Sequence, residues 1–492
     1  MALSTARSPR VAIVGSGFSG LCLGIQLKRA GIQSFTIFEK EASLGGTWRD
    51  NTYPGACCDI PSIFYCFSFE QKVDWPQKWS PQASIREYMD HCGEKYQLLP
   101  HMRFGTAVEA AAFDNDAGIW RIRTSDGEEI EAEILVSGVG QLHQPLFPKI
   151  PGLDSFGGTQ FHSSRWRHDV DLEGKRVAVI GSAASAIQFI PQIARQAANV
   201  LVFQRSPNWM IPRGNRDYSE REKRLFENFP LLTRLYRSYL WLRGEILLYP
   251  MIRGNRLLTR MTRRAALENM HSHIQDEGLR RALTPDYPLL AKRVLISDDY
   301  YPTLARENVE LITEGIQKVN AEGVVTSNGQ FHGADVLVLA TGFDTTHFLT
   351  PMKIEGMGGR SLEAEWKRGA EAYLGLAVPE FPNFFMMYGP NTNLGHNSII
   401  FMIEAQARYI VQCIEKIRRN GLHSLNLRPD VMRAYNEKVQ SDLADTAWAK
   451  VDRSWYKDDA GRITNNWPHS TFSYWWRTRR VDWSAYRLRE QA

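Results

Sequence analysis

Short apolar runs that close on glycine punctuate this chain. Val11-Ala-Ile-Val14, after Arg10, leads straight into Gly15-Ser-Gly17-Phe18-Ser19-Gly20. A run this short and without polar alternation predicts a strand buried on both faces. Behind the glycines, Leu21, Leu23, Ile25 and Leu27 among small residues predict a helix that stops at Gly31. Phe35-Thr-Ile-Phe38 predicts a second strand and ends at Glu39. The pattern returns near the middle. Arg176-Val-Ala-Val-Ile180 enters Gly181-Ser182-Ala183-Ala-Ser185-Ala186, a helix follows, and the strand Val200-Leu-Val-Phe203 ends in Gln204-Arg205-Ser206. Two further apolar runs, 134–140 and 336–342, also close on glycine and read as later strands returning to each sheet. Strands alternating with helices in this way predict parallel α/β sheets.

The pattern implies an α/β protein with two Rossmann-like dinucleotide-binding domains and a helical insertion. We expect residues 1–142 and 341–492 to form one domain, 150–212 and 291–340 the other, with 213–290 inserted. The connector Gln141–Pro151 carries three prolines in its last seven residues, which suits a stiff linker. In the insertion Leu232, Leu235, Tyr239, Leu242, Ile246 and Tyr249 recur at helical spacing, interleaved with Arg234, Arg237, Arg243 and Arg253. An amphipathic basic helix of this kind packs on its own protein or rests weakly on a membrane surface. We expect the first. We also expect the insertion to shape a substrate entry that favours apolar, elongated molecules. From about 400 a helical stretch, Ile400 to Ile417, precedes polar and aromatic sequence with no clear period.

Composition narrows the class. At 492 residues the chain exceeds one compact core, and 43% hydrophobic with 23% charged residues is an ordinary globular balance. A net charge of +5 is too small for a dedicated nucleic-acid binder but suits an enzyme that draws in anionic nucleotides. Six cysteines without framework spacing point to a reducing cytoplasm. No signal-peptide pattern or membrane-spanning apolar stretch is present, and no cysteine/histidine cluster has metal-ligand spacing. Five of the 14 tryptophans fall in the last 40 residues, as a core or interface, or as a wall for a flat ligand.

The chemistry begins at the glycines. Gly15, Gly17 and Gly20 permit a tight turn and let the backbone approach a pyrophosphate, with Phe18 and Ser19 opening the helix whose N-terminus faces it. Glu39, 19 residues beyond Gly20, can accept hydrogen bonds from ribose hydroxyls, which favours a cofactor with a free 2′-hydroxyl, FAD or NAD. In the second unit Ala183 replaces the middle glycine and would crowd the phosphate, whereas Ala186 is small enough for close helix packing. Arg205 stands where an acid would select a free ribose, and a guanidinium there suits the 2′-phosphate of NADPH. Gly45-Gly46-Thr47-Trp48 suits the flavin side of a dinucleotide, with Trp48 stacked on the ring or filling core.

Several motifs together resemble the Baeyer–Villiger monooxygenases. They are the first glycine motif, Gly45-Gly-Thr-Trp48, Tyr53-Pro-Gly-Ala-Cys-Cys-Asp-Ile-Pro-Ser62, Phe156-Gly-Gly158-Thr-Gln-Phe-His162-Ser-Ser-Arg-Trp166, Ala340-Thr-Gly-Phe-Asp344 and Gly389–Asn397. The family motif continues with Pro or Asp, where this chain has Arg167. The resemblance implies that NADPH reduces FAD and that the flavin captures O₂ as a C4a-peroxide. The peroxide then inserts oxygen beside a ketone carbonyl to give an ester or lactone. It implies Arg293 as the active-site arginine, paired with Asp59, and Lys292 with Arg205 at the 2′-phosphate. It also implies Lys40, Tyr65, Val108, Ser182, Ser206, Thr341 and Gly342 as cofactor contacts. Phe156, Gly158, His162 and Trp166 would couple the domains rather than touch substrate. A fixed cation beside an anionic oxygen is the expected stabiliser, and a carboxylate would hold it. Read without the resemblance, Asp59 is equally a turn or cap residue, and Arg293 a plain ion pair. Cys57-Cys58 reads as two buried thiols rather than a redox pair, and His396 as a catalytic group or a loop residue bonded to backbone. The partners expected are a ketone and O₂, with the protein a monomer or homodimer. Two alternatives stay open: an S- or N-oxygenase on the same layout, and an FAD/NADPH-binding protein without turnover.

Overall fold

The computed structural model describes residues 8–452 and 454–490; the outermost ends of the expected domain layout and Arg453 lie outside the described residues. Strand β1 (Val11–Val14) runs into helix α1 (Phe18–Arg29), followed by β2 (Phe35–Phe38), β3 (Met102–Arg103) and β4 (Ile134–Ser137). A second set follows: β5 (Thr159–His162), β6 (Arg176–Ile180), α2 (Ala186–Ile193) and β7 (Asn199–Phe203). The insertion holds α3 (Glu220–Asn228), α4 (Pro230–Arg243), a π-helical turn at Gly244–Leu248, α5 (Tyr249–Ile252), α6 (Arg256–His273) and α7 (Glu277–Leu283). Then come β8 (Val309–Ile312), β9 (Val336–Leu339), β10 (Phe384–Met386), α8 (Ile399–Asn420) and α9 (Thr471–Thr478).

These strands form two five-stranded sheets, both parallel throughout. The first has the order β10-β4-β1-β2-β3 and the second β8-β7-β6-β9-β5. The apolar runs are unbroken because both faces of each strand are covered. Val11 and Ile13 pack with α1 and α8, while Ala12 and Val14 pack against the antiparallel strands around Val108, Trp120 and Ile122. The second sheet repeats the plan. Val177 and Val179 lie under α2, and Ala178 and Ile180 face a three-stranded sheet that contributes Val319 and Val324. Two α/β dinucleotide-type units with a helical segment between β7 and β8 are thus present, as the apolar pattern predicted.

The chain passes between the sheets twice, and the two passages run side by side. Leu146 N–H donates to Gly342 O at 2.9 Å and the Thr341 hydroxyl to Leu146 O at 2.5 Å. The aromatic C-terminal sequence that showed no period belongs to the first unit. Tyr486–Glu490 pairs antiparallel with Leu422–Leu427, and α9 packs against α8. The insertion helix packs on the protein as expected, but not through its apolar stripe: Leu232, Leu235, Tyr239, Leu242 and Ile246 are exposed, Tyr249 packs against His396, and α4 buries its other side through Thr233 and Leu240.

Candidate active site

Both glycine turns open on one cleft of about 2020 Å³. Single-ligand pockets run to about 1,000 Å³, so this volume suits two dinucleotides and a substrate. Gly15 takes φ +98°, and a Cβ there would sit 2.8 Å from Gly138 O. Gly46, at φ +52°, approaches Gly17 so closely that a Cβ would lie 3.1 Å from its Cα. No side chain caps α1, and its first turn holds no acid, so its free N–H groups face the cleft ready for a phosphate. The same turn in the second unit is set by Gly181, whose Cβ would meet Ala340 O at 2.3 Å. The residues present therefore fit a bound FAD and a second nucleotide.

Most of the expected cofactor residues line this cleft: Phe18, Ser19, Lys40, Thr47, Trp48, Tyr65 and Val108 on one side, Ser182, Ala183, Ser185, Thr341 and Gly342 on the other. Gly20 and Ala186 do not. A Cβ on Gly20 would lie 2.0 Å from Gly15 O, and Ala186 is fully buried, so both serve helix-on-strand packing rather than ligand contact. Ala183 is exposed at the mouth of its turn, so its methyl group points into open cleft. Trp48 is half-buried and donates its indole N–H to the Tyr65 hydroxyl at 3.1 Å.

Glu39 is already well supplied with donors. It accepts from Ser16 N–H at 3.0 Å, the Ser16 hydroxyl at 2.6 Å and Glu41 N–H at 3.1 Å, and pairs with Arg49 at 3.0 Å. A ribose hydroxyl that reaches it must share or displace one of these. Arg49 was invisible to motif reasoning because it lies outside every glycine motif.

On the side of the cleft lined by the second glycine turn, Lys292 Nζ donates to the Ser206 hydroxyl at 3.3 Å. Burial first, and then the nearby Arg205 charge, lower the Lys292 pKa. Two cations and a hydroxyl therefore converge where a 2′-phosphate would neutralise them.

Asp59 and Arg293, 234 positions apart, meet in the same cleft. Arg293 Nε donates to Asp59 Oδ2 at 2.9 Å, and Nη2 donates to the same oxygen. The Asp59 charge raises the arginine pKa further above its ordinary value. Two tyrosines that the motifs had not singled out stand near the guanidinium, Tyr388 and Tyr456. Burial raises both phenols, Tyr456 to about 12, so both remain neutral hydroxyls. Tyr388 donates to Asn393 Oδ1 at 2.6 Å, and Asn393 donates on to Asn466 at 2.7 Å. This buried polar chain holds the 389–397 loop.

His162 and Trp166 stay out of the cleft. His162 Nδ1 lies 2.8 Å from the Ser164 hydroxyl, and its ring packs near Phe147 and Phe343 of the two inter-sheet passages. Trp166 packs on Phe161 and Phe189. Gly158 has no room for a side chain: a Cβ would meet Asp335 O at 2.3 Å and the Phe156 ring at 2.8 Å. Arg167, the departure from the motif, is exposed and bonded to Asp169 at 2.7 Å. Two side expectations need correction. Cys57 and Cys58 are free thiols, but Cys57 is only partly buried, with Arg213 Nη1 2.9 Å from its sulfur. His396 bonds no backbone group; it is buried against Glu245 of the π-helical turn, Nε2 to Oε1 3.4 Å.

Two parallel sheets opening on one cleft, with an arginine–aspartate pair in its wall, define an oxidoreductase of two dinucleotides. The flavin-binding monooxygenase-like (FMO-like) family model matches residues 8–357. A Baeyer–Villiger monooxygenase of Pseudomonas aeruginosa is 41% identical over 489 residues, covering 99% of this chain and 92% of that protein. The solved structure of an oxidized steroid monooxygenase bound to NADP aligns with a TM-score of 0.89 at 29% identity, over 99% of this chain and 100% of that one. OTEMO in complex with FAD and NADP aligns with a TM-score of 0.89 at 26% identity, over 98% and 100% of the two chains. The chain belongs to the flavin-binding monooxygenases, and within them to the Baeyer–Villiger monooxygenases. The expected family, fold class and pair of cofactors are borne out, and the reading as a binding protein without turnover falls.

Proposed function

We propose that this enzyme uses FAD, NADPH and O₂ to insert one oxygen atom beside a ketone carbonyl. Ketone, O₂, NADPH and a proton give ester or lactone, NADP⁺ and water. The observation that carries the proposal is the meeting of Asp59 and Arg293 in the cleft that both glycine turns line. When bound, FAD supplies the redox chemistry, accepting hydride from NADPH and activating O₂. The protein's part is binding, orientation and charge. The open end of α1 with Gly15, Gly17 and Gly46 holds the FAD pyrophosphate; Arg205, Ser206 and Lys292 hold the NADPH 2′-phosphate. Arg293 offers a permanent cation to the oxygen on which negative charge develops, and Asp59 fixes its direction. Tyr388 and Asn393 steady the loop beside it. His162 and Trp166, at the paired passages, couple the two units.

We accordingly assign residues 1–142 and 341–492 to FAD and 150–212 and 291–340 to NADPH. No helix among the described residues is long and apolar enough to cross a membrane. Six free thiols support a reducing, cytoplasmic setting.

The test is turnover of a panel of cyclic and linear ketones under ¹⁸O₂ with NADPH, read by mass spectrometry. The expected product is an ester with one ¹⁸O atom. NADPH consumption with matching hydrogen peroxide for every ketone, and sulfoxide from a thioether, would overturn the reading in favour of a heteroatom oxygenase.

A further inference from the structure

Eleven of the 18 large hydrophobic side chains exposed among the described residues fall between 225 and 261. They are not scattered. Along α4 and the π-helical turn, Leu231, Leu235, Tyr239, Leu242 and Ile246 follow at steps of four, four, three and four, so they form one stripe. Their exposures are 69, 59, 57, 45 and 55%. The helix is held by its opposite side. Thr233, Leu240 and Gly244 are buried, and Arg237 donates to the carbonyls of Ile63 and Cys66. A helix that is anchored by one side and turns a contiguous apolar stripe outward is one whose outer side meets something other than water. Helix α9 flanks it through Trp241 Nε1, which donates to the Thr471 hydroxyl at 2.8 Å, and adds exposed Phe472 and Trp476.

Charge selects the occupant. From 229 to 264 the chain has eight arginines and one acid, Glu245. Glu245 is turned inward, accepting from Asn397 at 2.9 Å and facing His396. Arg234, Arg256 and Arg260 are exposed and have no acidic partner among the described residues. A symmetric contact with a second copy would bring these like charges together. An anionic lipid surface instead accepts leucine side chains at its acyl boundary, aromatic rings at the headgroups and arginines against phosphates.

We propose that the outer face of α4, with α9 beside it, docks the enzyme on anionic membrane surfaces as a peripheral protein. The docked element reaches the catalytic cleft directly, since Asn397 of the 389–397 loop donates to both Trp241 O and Glu245.

The experiment is flotation of the purified holoenzyme with vesicles of phosphatidylcholine alone, and with about one third phosphatidylglycerol. Expected is binding to the anionic vesicles that weakens with salt and is at least tenfold lower on neutral ones. Each leucine buried in lipid contributes about tenfold and each arginine about fivefold to the partition coefficient. Leu235→Glu with Leu242→Glu abolishes flotation, and Arg234→Gln with Arg256→Gln and Arg260→Gln lowers it about a hundredfold. All these residues are solvent-exposed, so both variants keep their FAD and their turnover of a water-soluble ketone. Failure to float on anionic vesicles at low salt overturns the proposal. So does a concentration-dependent dimer that Leu235→Glu with Leu242→Glu converts to monomer, which would make the face a subunit contact.

Discussion

Replacing Asp59 with alanine isolates what the carboxylate does for Arg293. A buried ion pair broken on one side costs about 3–5 kcal/mol. Here the two side chains are 34% and 31% exposed to the cleft, so solvent screens part of that cost. The remaining scale is that of hydrogen bonds to a charged group, about 1.5–3 kcal/mol. With about 2 kcal/mol holding the guanidinium in place, its loss lowers ester formation roughly 30-fold. Arg293→Ala removes the cation itself and lowers ester formation about 10²–10³-fold, as for loss of one oxyanion donor. The assay follows NADPH consumption, ester and hydrogen peroxide together. Both variants keep oxidising NADPH and shift its electrons to hydrogen peroxide. The double variant is no worse than Arg293→Ala, because Asp59 acts only through the arginine. Normal ester yield in Asp59→Ala, or losses that multiply in the double variant, would refute the assignment of both residues.

Three further outcomes follow from the same geometry. Arg205→Ala raises KM for NADPH about 10–100-fold and leaves KM for NADH nearly unchanged, because only NADPH carries the 2′-phosphate; an equal rise for both cofactors would place Arg205 elsewhere. Gly20→Ala pushes a methyl group onto Gly15 O, 2.0 Å away, and costs about 1–3 kcal/mol or more in overpacking, so the protein retains little FAD after gel filtration; a full flavin spectrum in that variant would contradict the packing. Burial lowers the His162 pKa from 6.5 to about 4, so the folded state binds fewer protons across that window. The contribution of His162 to stability is then complete above pH 6.5 and is lost as the pH falls towards 4, and Tm of His162→Gln varies less with pH over that range than Tm of the unchanged protein.

What could be read from the chain was local. Val11–Val14 and Arg176–Ile180 are unbroken apolar runs because each strand is covered on both faces, so four or five residues sufficed to mark them as central parallel strands. Gly15, Gly46 and Gly181 stand where the backbone takes a positive φ beside another chain segment, and only glycine tolerates that. Arg205, just past β7, was legible from its position alone as the candidate for the 2′-phosphate. The pairing of Asp59 with Arg293 came from family resemblance, since no periodicity links positions 234 apart. Three matters belonged to the tertiary structure. Glu39 meets Arg49 and Ser16 through folds of loops whose spacing carries no signal. Tyr388 and Tyr456 converge near the guanidinium, and Asn466 meets Asn393 behind Tyr388, from segments that look unremarkable along the chain. The direction of the α4 stripe was the sharpest case. Helical spacing shows that Leu235 and Leu242 share a side, but which side of a helix meets the protein is settled by what anchors it. Here the anchors are Arg237, Thr233 and Leu240, and they turn the leucines outward.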